Sequence, residues 1–157
     1  MASRLFGLTV LLLLVSQSLP VSASHYPMEV VPFLEAGHRA KLAALKVEDT
    51  EELLQALLTS EARKKAARKT GIEVAKLEEY SKLCDLLRIR GVGPKMARLL
   101  LLSGISGLAG LRGERGGELI VKMRATNKQH GVSEILPQVE TLKDWIHQAR
   151  ALDIILK

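Results

Sequence analysis

The sequence predicts an all-α fold, and three observations support this prediction. Leucine, alanine, glutamate, lysine and arginine dominate the chain, and these residues have high helix propensity. Alternating runs of β-branched residues, which would indicate strands, are few. Aromatic residues make up only 3% of the chain, so a core must be built from aliphatic side chains. We therefore expect one compact helical domain.

The first 23 residues have the layout of a secretory signal peptide. Arg4 is the only charge before residue 25, and the apolar run LFGLTVLLLLV follows it. Val21 and Ala23 occupy the −3 and −1 positions of a possible cleavage site. We expect cleavage near Ala23 and export to the periplasm or the medium, leaving residues 24–157 as the domain. A retained anchor and a buried N-terminal helix are the alternatives, although spanning a membrane takes about 20 apolar residues.

Helical spacing of apolar residues predicts the elements of the first half. Residues 37–46 form a helix, and a second short helix begins at residues 48–50. Thr59 or Ser60 caps the next helix, which ends before Gly71. A longer helix over residues 73–87 carries an apolar stripe at every third or fourth position.

The segment LRIRGVGPKMARLLLLSGI, residues 87–105, is the most specific signal in the chain. An apolar, strand-like lead runs into Gly91-Val92-Gly93, where two glycines permit a tight turn. Pro94 suits the first position of a helix, and Gly104 ends that helix. This is the pattern of a helix-hairpin-helix, in which Val92 plugs the gap between the helices.

The second half continues with helices. Residues 106–111 predict a short helical turn, and Gly113, Gly116 and Gly117 predict a mobile loop. Residues 118–128 return to helix. Pro137 begins the last helix, whose apolar face consists of Val139, Leu142, Ile146, Ala149 and Leu152.

The chain also carries a weak internal repeat at an offset of 58 positions. Leu42 aligns with Leu100, and other apolar residues from Val31 to Leu53 align in the same way. Phe33 and Glu35 stand where the second copy has its glycines. We therefore predict two helix-hairpin-helix units, the first degenerate and the second intact, followed by a C-terminal helix. The alternative is a chance alignment, because leucine is abundant.

The intact turn is the candidate site for a nucleic-acid phosphate. Free backbone N–H groups at a helix N-terminus attract anions, and cationic side chains add charge-assisted bonds. The predicted contacts are Arg90, Gly91, Val92, Gly93, Lys95 and Arg98. A secondary basic face on one helix consists of Arg63, Lys64, Lys65, Arg68 and Lys69. The alternatives are a solvated helix face for the second set and, for the turn, a purely structural helix connection or a protein contact.

Composition restricts the other classes of function. The net charge of +6 permits an anionic partner without requiring one. Cys84 is the only cysteine, so it cannot form an intramolecular disulfide, and its position in the apolar stripe predicts a core residue. The four histidines are scattered without metal-ligand spacing, and we expect no metal and no cofactor.

The segment from about Val31 to Ala151 resembles an uncharacterised bacterial family of tandem helix-hairpin-helix domains, known only as a domain of unknown function. The features that carry the resemblance are SEARKKAARKTGI, KLCDLLRIRGVG, Ala97, Ser103-Gly104-Ile105 and LPQVETLKDWIHQA. The resemblance implies a helical fold related to DNA-binding modules and implies no known reaction.

Glycosylases that carry this motif use an aspartate some way after the hairpin. Here the next aspartate after Asp85 is Asp144, beyond an extra helix, so we predict that the protein is not an enzyme. The predicted function is an exported binding module that contacts the DNA or RNA backbone without sequence specificity. The alternative is an envelope or extracellular module for protein interaction or self-association.

Overall fold

A computed structural model of the chain describes residues 25–157, so the predicted signal peptide lies outside the described residues. Within residues 25–157 the chain forms eight helices and no strand, which confirms the all-α prediction. An isolated antiparallel bridge joins Pro27 to Asp49, and 3₁₀ turns occupy Met28–Val30 and Ala43–Leu45. The helices are α1 Ala36–Leu42, α2 Thr50–Ala56, α3 Ser60–Thr70, α4 Val74–Leu86, α5 Pro94–Leu102, α6 Gly107–Arg112, α7 Gly116–His130 and α8 Val139–Ala151.

Helix α4 is the central element of the core. It packs against α2, α3, α5 and α6, while α8 packs against α6 and α7. The stripe predicted for α4 is buried, including Leu77, Tyr80 and Cys84. Apart from Tyr80, Phe33 and Trp145, the core of the described residues is aliphatic or sulfur-containing, as the low aromatic content requires.

Helix ends follow the local sequence signals. Asp49 caps α2 by accepting hydrogen bonds from the N–H groups of Glu51 and Glu52, both at 2.9 Å. Thr59 caps α3 through the N–H of Ala62. Gly71 ends α3 in the left-handed conformation, where a side chain would be strained. These ends were predictable because each depends on residues within one turn of the helix.

The repeat in the sequence corresponds to a repeat in the backbone hydrogen bonds. Val30 donates to Pro27, Leu34 to Val31, Arg39 to Glu35 and Lys46 to Ala43. Each bond recurs at an offset of 58: Arg88 to Asp85, Val92 to Ile89, Ala97 to Gly93 and Gly104 to Leu101. Helices α1 and α2 thus correspond in position to α5 and α6. The two segments share one backbone pattern.

Two local predictions were wrong. The lead to the second turn is not strand-like, because the chain from Leu87 to Ile89 forms turns closed by hydrogen bonds back to α4. The predicted glycine loop is shorter, because Gly116 and Gly117 are the first two residues of α7. Gly116 is a packing glycine: a Cβ there would lie 3.0 Å from Lys143 Cγ. Helices α7 and α8 therefore approach closely at a point where sequence alone suggested mobility.

The C-terminal part of the chain packs onto the domain. Helix α8 begins at Val139, two residues after Pro137, and ends at Ala151, so Leu152 lies just outside it. The backbone N–H of Lys157 donates to the carbonyl of Leu58 at 2.8 Å. In the part of the chain that the structure describes, no helix is long and apolar enough to cross a membrane.

Candidate nucleic-acid interface

The second turn, defined here as Ile89–Gly93, connects α4 to α5. Val92 is fully buried and its N–H donates to the Ile89 carbonyl at 3.1 Å. Its side chain therefore fills the space between helices, as predicted, and its N–H cannot serve a ligand. Gly91 has a φ of +90°, a conformation that residues with a side chain rarely adopt.

Helix α8 covers one side of this turn. The side-chain amide of Gln148 accepts a hydrogen bond from the Arg90 N–H at 2.9 Å and donates to the Arg90 carbonyl at 3.2 Å. A Cβ on Gly91 would lie 3.2 Å from Nε1 of Trp145. Trp145 is 3% exposed, so it is a packing residue. Internal packing thus accounts for the glycine at 91 and for the N–H of Arg90.

Gly93 is not explained by internal packing. Its φ is −85°, which any residue can adopt, and a Cβ there would meet only Oη of Tyr26 at 3.8 Å, an ordinary contact. It is the N-cap of α5. Within residues 25–157 the N–H groups of Gly93, Lys95 and Met96 have no hydrogen-bond partner. Three donors therefore remain at the start of a nine-residue helix, where the helix dipole favours an anion.

Lys95 and Arg98 line the same cleft beside this helix start. Both side chains are exposed, and neither forms an ion pair with another residue in the 25–157 range. The cleft has a volume of about 380 Å³ and brings α5 together with the first turn and the end of α7. Its lining is Pro32, Pro94, Lys95, Arg98, Leu102, His130, Gly131 and Val132.

His130 and Pro32 were not among the predicted site residues. No spacing in the sequence relates His130 to Lys95, because they lie on different helices. Only the packing of α7 against α5 brings them to one cleft.

The first turn, defined here as Val31–Glu35, is filled by the chain's own side chains. The Arg39 guanidinium donates to the carbonyls of Glu29 and Leu34, both at 3.0 Å. Glu35 is the N-cap of α1, so a carboxylate stands at the position equivalent to Gly93. Phe33 packs on the ring of Tyr80, and burial raises the pKa of that phenol above its usual value. The first turn therefore presents no comparable opening for an anion.

The prediction of a secondary basic face was wrong for Arg63. This residue is 7% exposed, and its guanidinium donates to the carbonyls of Leu57 at 2.8 Å and Lys157 at 2.7 Å. Arginine is buried here because carbonyl acceptors replace its hydration. The other four residues of the set, Lys64, Lys65, Arg68 and Lys69, are exposed on α3.

This exposed part of the α3 face is separate from the cleft. Lys64 and Arg68 approach Glu61 at 3.9 and 3.8 Å, which reduces their net charge toward a ligand. Helix α3 packs against α2, α4 and the Ala43–Leu45 turn. None of its residues lines the cleft beside α5.

The buried polar residues of α4 have structural partners. Asp85 accepts a hydrogen bond from the Leu108 N–H at 2.8 Å and pairs with Arg88 at 2.9 Å, so it holds the start of α6. Cys84 is buried, and burial raises the pKa of its thiol well above the usual range. Its position agrees with the predicted core role. Within the described residues, no group of three histidine, cysteine or carboxylate side chains is placed to hold a metal ion.

Comparison with known proteins places the chain in a family without a known activity. Residues 33–152 match the model described as "Domain of unknown function (DUF4332)". Comparisons with curated proteins and with solved structures found no match. The expected resemblance to a domain-of-unknown-function family is thus confirmed, while its helix-hairpin-helix content stays a prediction. Because the match spans most of the sequence, the chain belongs to the DUF4332 family.

Proposed function

We propose that the protein is a non-enzymatic module that contacts nucleic-acid phosphates, without sequence specificity, through the second turn and the start of α5. In this proposal Ile89–Gly93 is the hairpin of an intact helix-hairpin-helix, and the first turn is its degenerate counterpart. The hydrogen bonds that recur at an offset of 58 support this assignment, because a duplicated unit keeps its backbone pattern when its side chains diverge.

The observation that carries the proposal is the glycine at position 93. A side chain would fit there without strain, yet the position is glycine. A glycine with neither a left-handed φ nor a crowded Cβ site is accounted for if another molecule approaches the backbone closely. The three N–H groups without partners favour binding of an anion, and Lys95 and Arg98 supply positive charge beside them.

The number of contacts sets the expected strength. The N–H groups of one helix start and two cations can engage one or two phosphates, because each phosphate needs two or more donors. The logarithm of the binding constant should then fall with the logarithm of the salt concentration with a slope of about −1 to −2. Binding of this kind fixes the position of a nucleic acid and does not read its bases.

The test is a fluorescence-anisotropy titration of labelled DNA with the protein expressed as the full chain, at low and moderate salt. We expect salt-dependent binding that does not vary with sequence and that is lost in the double variant Gly93→Glu, Lys95→Glu. The matched control is Lys65→Glu, Lys69→Gln on α3, which changes the net charge equally and lies outside the cleft. Circular dichroism melts establish that each variant is folded.

Two results would overturn the proposal. One is the absence of salt-dependent binding by the parent protein. The other is an equal loss of affinity in the α3 control, because net charge alone would then explain binding and the second turn would have no special part in it.

The second candidate is an envelope or extracellular module for protein interaction or self-association. One observation favours it. Packing against Trp145 explains the glycine at position 91, and Gln148 already accepts a hydrogen bond from the Arg90 N–H, so part of the turn is explained by the fold without a ligand. Under this alternative the titration shows no binding, and sedimentation shows a self-associated state or a monomer that needs another protein. Export remains part of both proposals, and N-terminal sequencing of the secreted or periplasmic form tests it; a chain still beginning at Met1 would contradict cleavage.

A further inference from the structure

The cleft beside α5 has an apolar wall, which the binding of a phosphate alone does not require. Pro32 from the first turn, Pro94 and Leu102 from α5, and Val132 after α7 are apolar. The side chain of Leu102 is 42% exposed, so it is available to a ligand in the cleft. A volume of about 380 Å³ lies within the range of sites for small molecules, about 300–1,000 Å³.

The permanent cations of the cleft, Lys95 and Arg98, both belong to α5. His130 stands at the end of α7, and no acidic residue lines the cleft. The matching ligand has one anionic group and one flat, largely apolar group of moderate size. A backbone phosphate of a duplex offers the first without the second, because the bases are stacked inside the helix.

We infer that the cleft binds one nucleoside phosphate unit, with its phosphate at the start of α5 and its base against Pro32, Leu102 and the imidazole of His130. The inference rests on the proposed function, because Lys95 and Arg98 hold the phosphate in both. Bases in single strands are free to leave the stack and lie on aromatic side chains, histidine among them. The ligand class is therefore a nucleotide, either free or within a single-stranded or frayed segment, in preference to an intact duplex.

The experiment compares three ligands on the full chain: an oligo-dT of about 12 nucleotides, within the site sizes of single-strand binders, the blunt duplex of equal length, and thymidine 5′-monophosphate as competitor. We expect the single strand to bind about fivefold or more tightly than the duplex, since one stacked base contributes at least that factor. Competition by the monophosphate assigns the site to free nucleotides as well. Its failure to compete restricts the site to nucleic-acid chains.

Two variants address the base contact without touching the phosphate donors. His130→Ala removes the imidazole, and Leu102→Ser removes the apolar contact on its exposed side. Each should reduce single-strand binding, His130→Ala by about fivefold or more, and leave duplex binding unchanged. The controls are His147→Ala, an exposed histidine of α8, and Val121→Ser, whose parent side chain is 63% exposed on α7; neither lines the cleft.

The outcomes separate this inference from the proposed function. Equal binding of single strand and duplex, unaffected by His130→Ala and Leu102→Ser, overturns the nucleoside site and leaves phosphate contact by the second turn intact. Absence of binding by every ligand, or binding insensitive to Gly93→Glu, Lys95→Glu, overturns both.

Discussion

The first and second turns share one backbone pattern and differ in what fills them. In the first turn Arg39 donates hydrogen bonds to backbone carbonyls. The equivalent residue of the second turn is Ala97, whose side chain has no donor. The N-cap is Glu35 in the first and Gly93 in the second. The cations Lys95 and Arg98 correspond to Gly37 and Ala40 at the offset of 58. The backbone geometry is therefore the common scaffold, and side chains decide whether the start of the following helix stays open.

The second helix of each unit is also held differently. Helix α2 is capped locally by Asp49, whose equivalent at the offset of 58 is Gly107, the first residue of α6. Gly107 has a φ of +69°, and a Cβ there would lie 2.8 Å from Asp85 Oδ2. Asp85 caps α6 from the neighbouring helix instead. One unit therefore uses a local cap and the other a buried tertiary contact.

The largest expected effect is the loss of that tertiary cap. Asp85→Ala leaves Arg88 without its carboxylate partner and the Leu108 N–H unsatisfied in the core, which should cost about 3–5 kcal/mol. The local cap is weaker, since Asp49→Ala should cost only about 1 kcal/mol. Urea unfolding followed by circular dichroism measures both. Equal losses would show that the two units are held in the same way.

The next effect concerns the arginine that fills the first turn. Arg39→Ala should lower the free energy of unfolding by about 2–3 kcal/mol, because carbonyls of this turn lose a charged donor. Lys41→Ala is the matched control on the same helix. It is exposed, has no ion pair among the described residues, and should change stability by less than about 0.5 kcal/mol. If the two variants are alike, Arg39 does not hold the turn.

The two glycines of the second turn should respond differently. Gly91→Ala must adopt a left-handed φ and displace Trp145, at a cost of about 1–2 kcal/mol. Gly93→Ser should stay within about 0.5 kcal/mol of the parent, because serine is a good N-cap and the space is open. Thermal melts of both variants make the measurement. A large loss of stability in Gly93→Ser would show that the fold itself requires glycine at position 93. The main support for ligand contact would then be removed.

The smallest effect comes from grafting the second turn's charges onto the first. The triple variant Glu35→Gly, Gly37→Lys, Ala40→Arg removes the carboxylate from the N-cap and adds the two cations. If an open helix start with two cations suffices, the salt slope of DNA binding should steepen by about one. Anisotropy titrations at several salt concentrations measure it. An unchanged slope would mean that the left-handed Gly91 is also needed to present the donors.

Much of the fold could be predicted from local patterns. The caps at Asp49 and Thr59 and the stop at Gly71 depend on residues one turn apart. Burial of the α4 stripe follows from helical periodicity. The prediction of a strand-like segment before Gly91 was wrong because a short apolar run suits either a strand or a turn. The loop at Gly116 was misjudged because glycine marks both mobile connections and close helix packing.

The candidate site was predictable only in part. The turn, Lys95 and Arg98 lie within one segment, so spacing placed them together. Arg63 was assigned to a surface because arginine is usually exposed, and only the carbonyls of Leu57 and Lys157 make its burial possible. Gln148 and His130 reach the site from α8 and α7, and no local pattern relates them to the second turn.

The sequence by itself determined the helical class, most helix ends, the duplicated apolar skeleton and the glycine turn, because propensity, capping and periodicity act over a few residues. The tertiary structure decided which turn stays open, which glycine has an internal reason, and which residues from separate helices share the cleft. These outcomes depend on contacts between residues that are distant in the chain, such as Trp145 against Gly91 and His130 in the cleft that Lys95 lines. Propensity, capping and periodicity act over a few residues, so they do not specify such contacts.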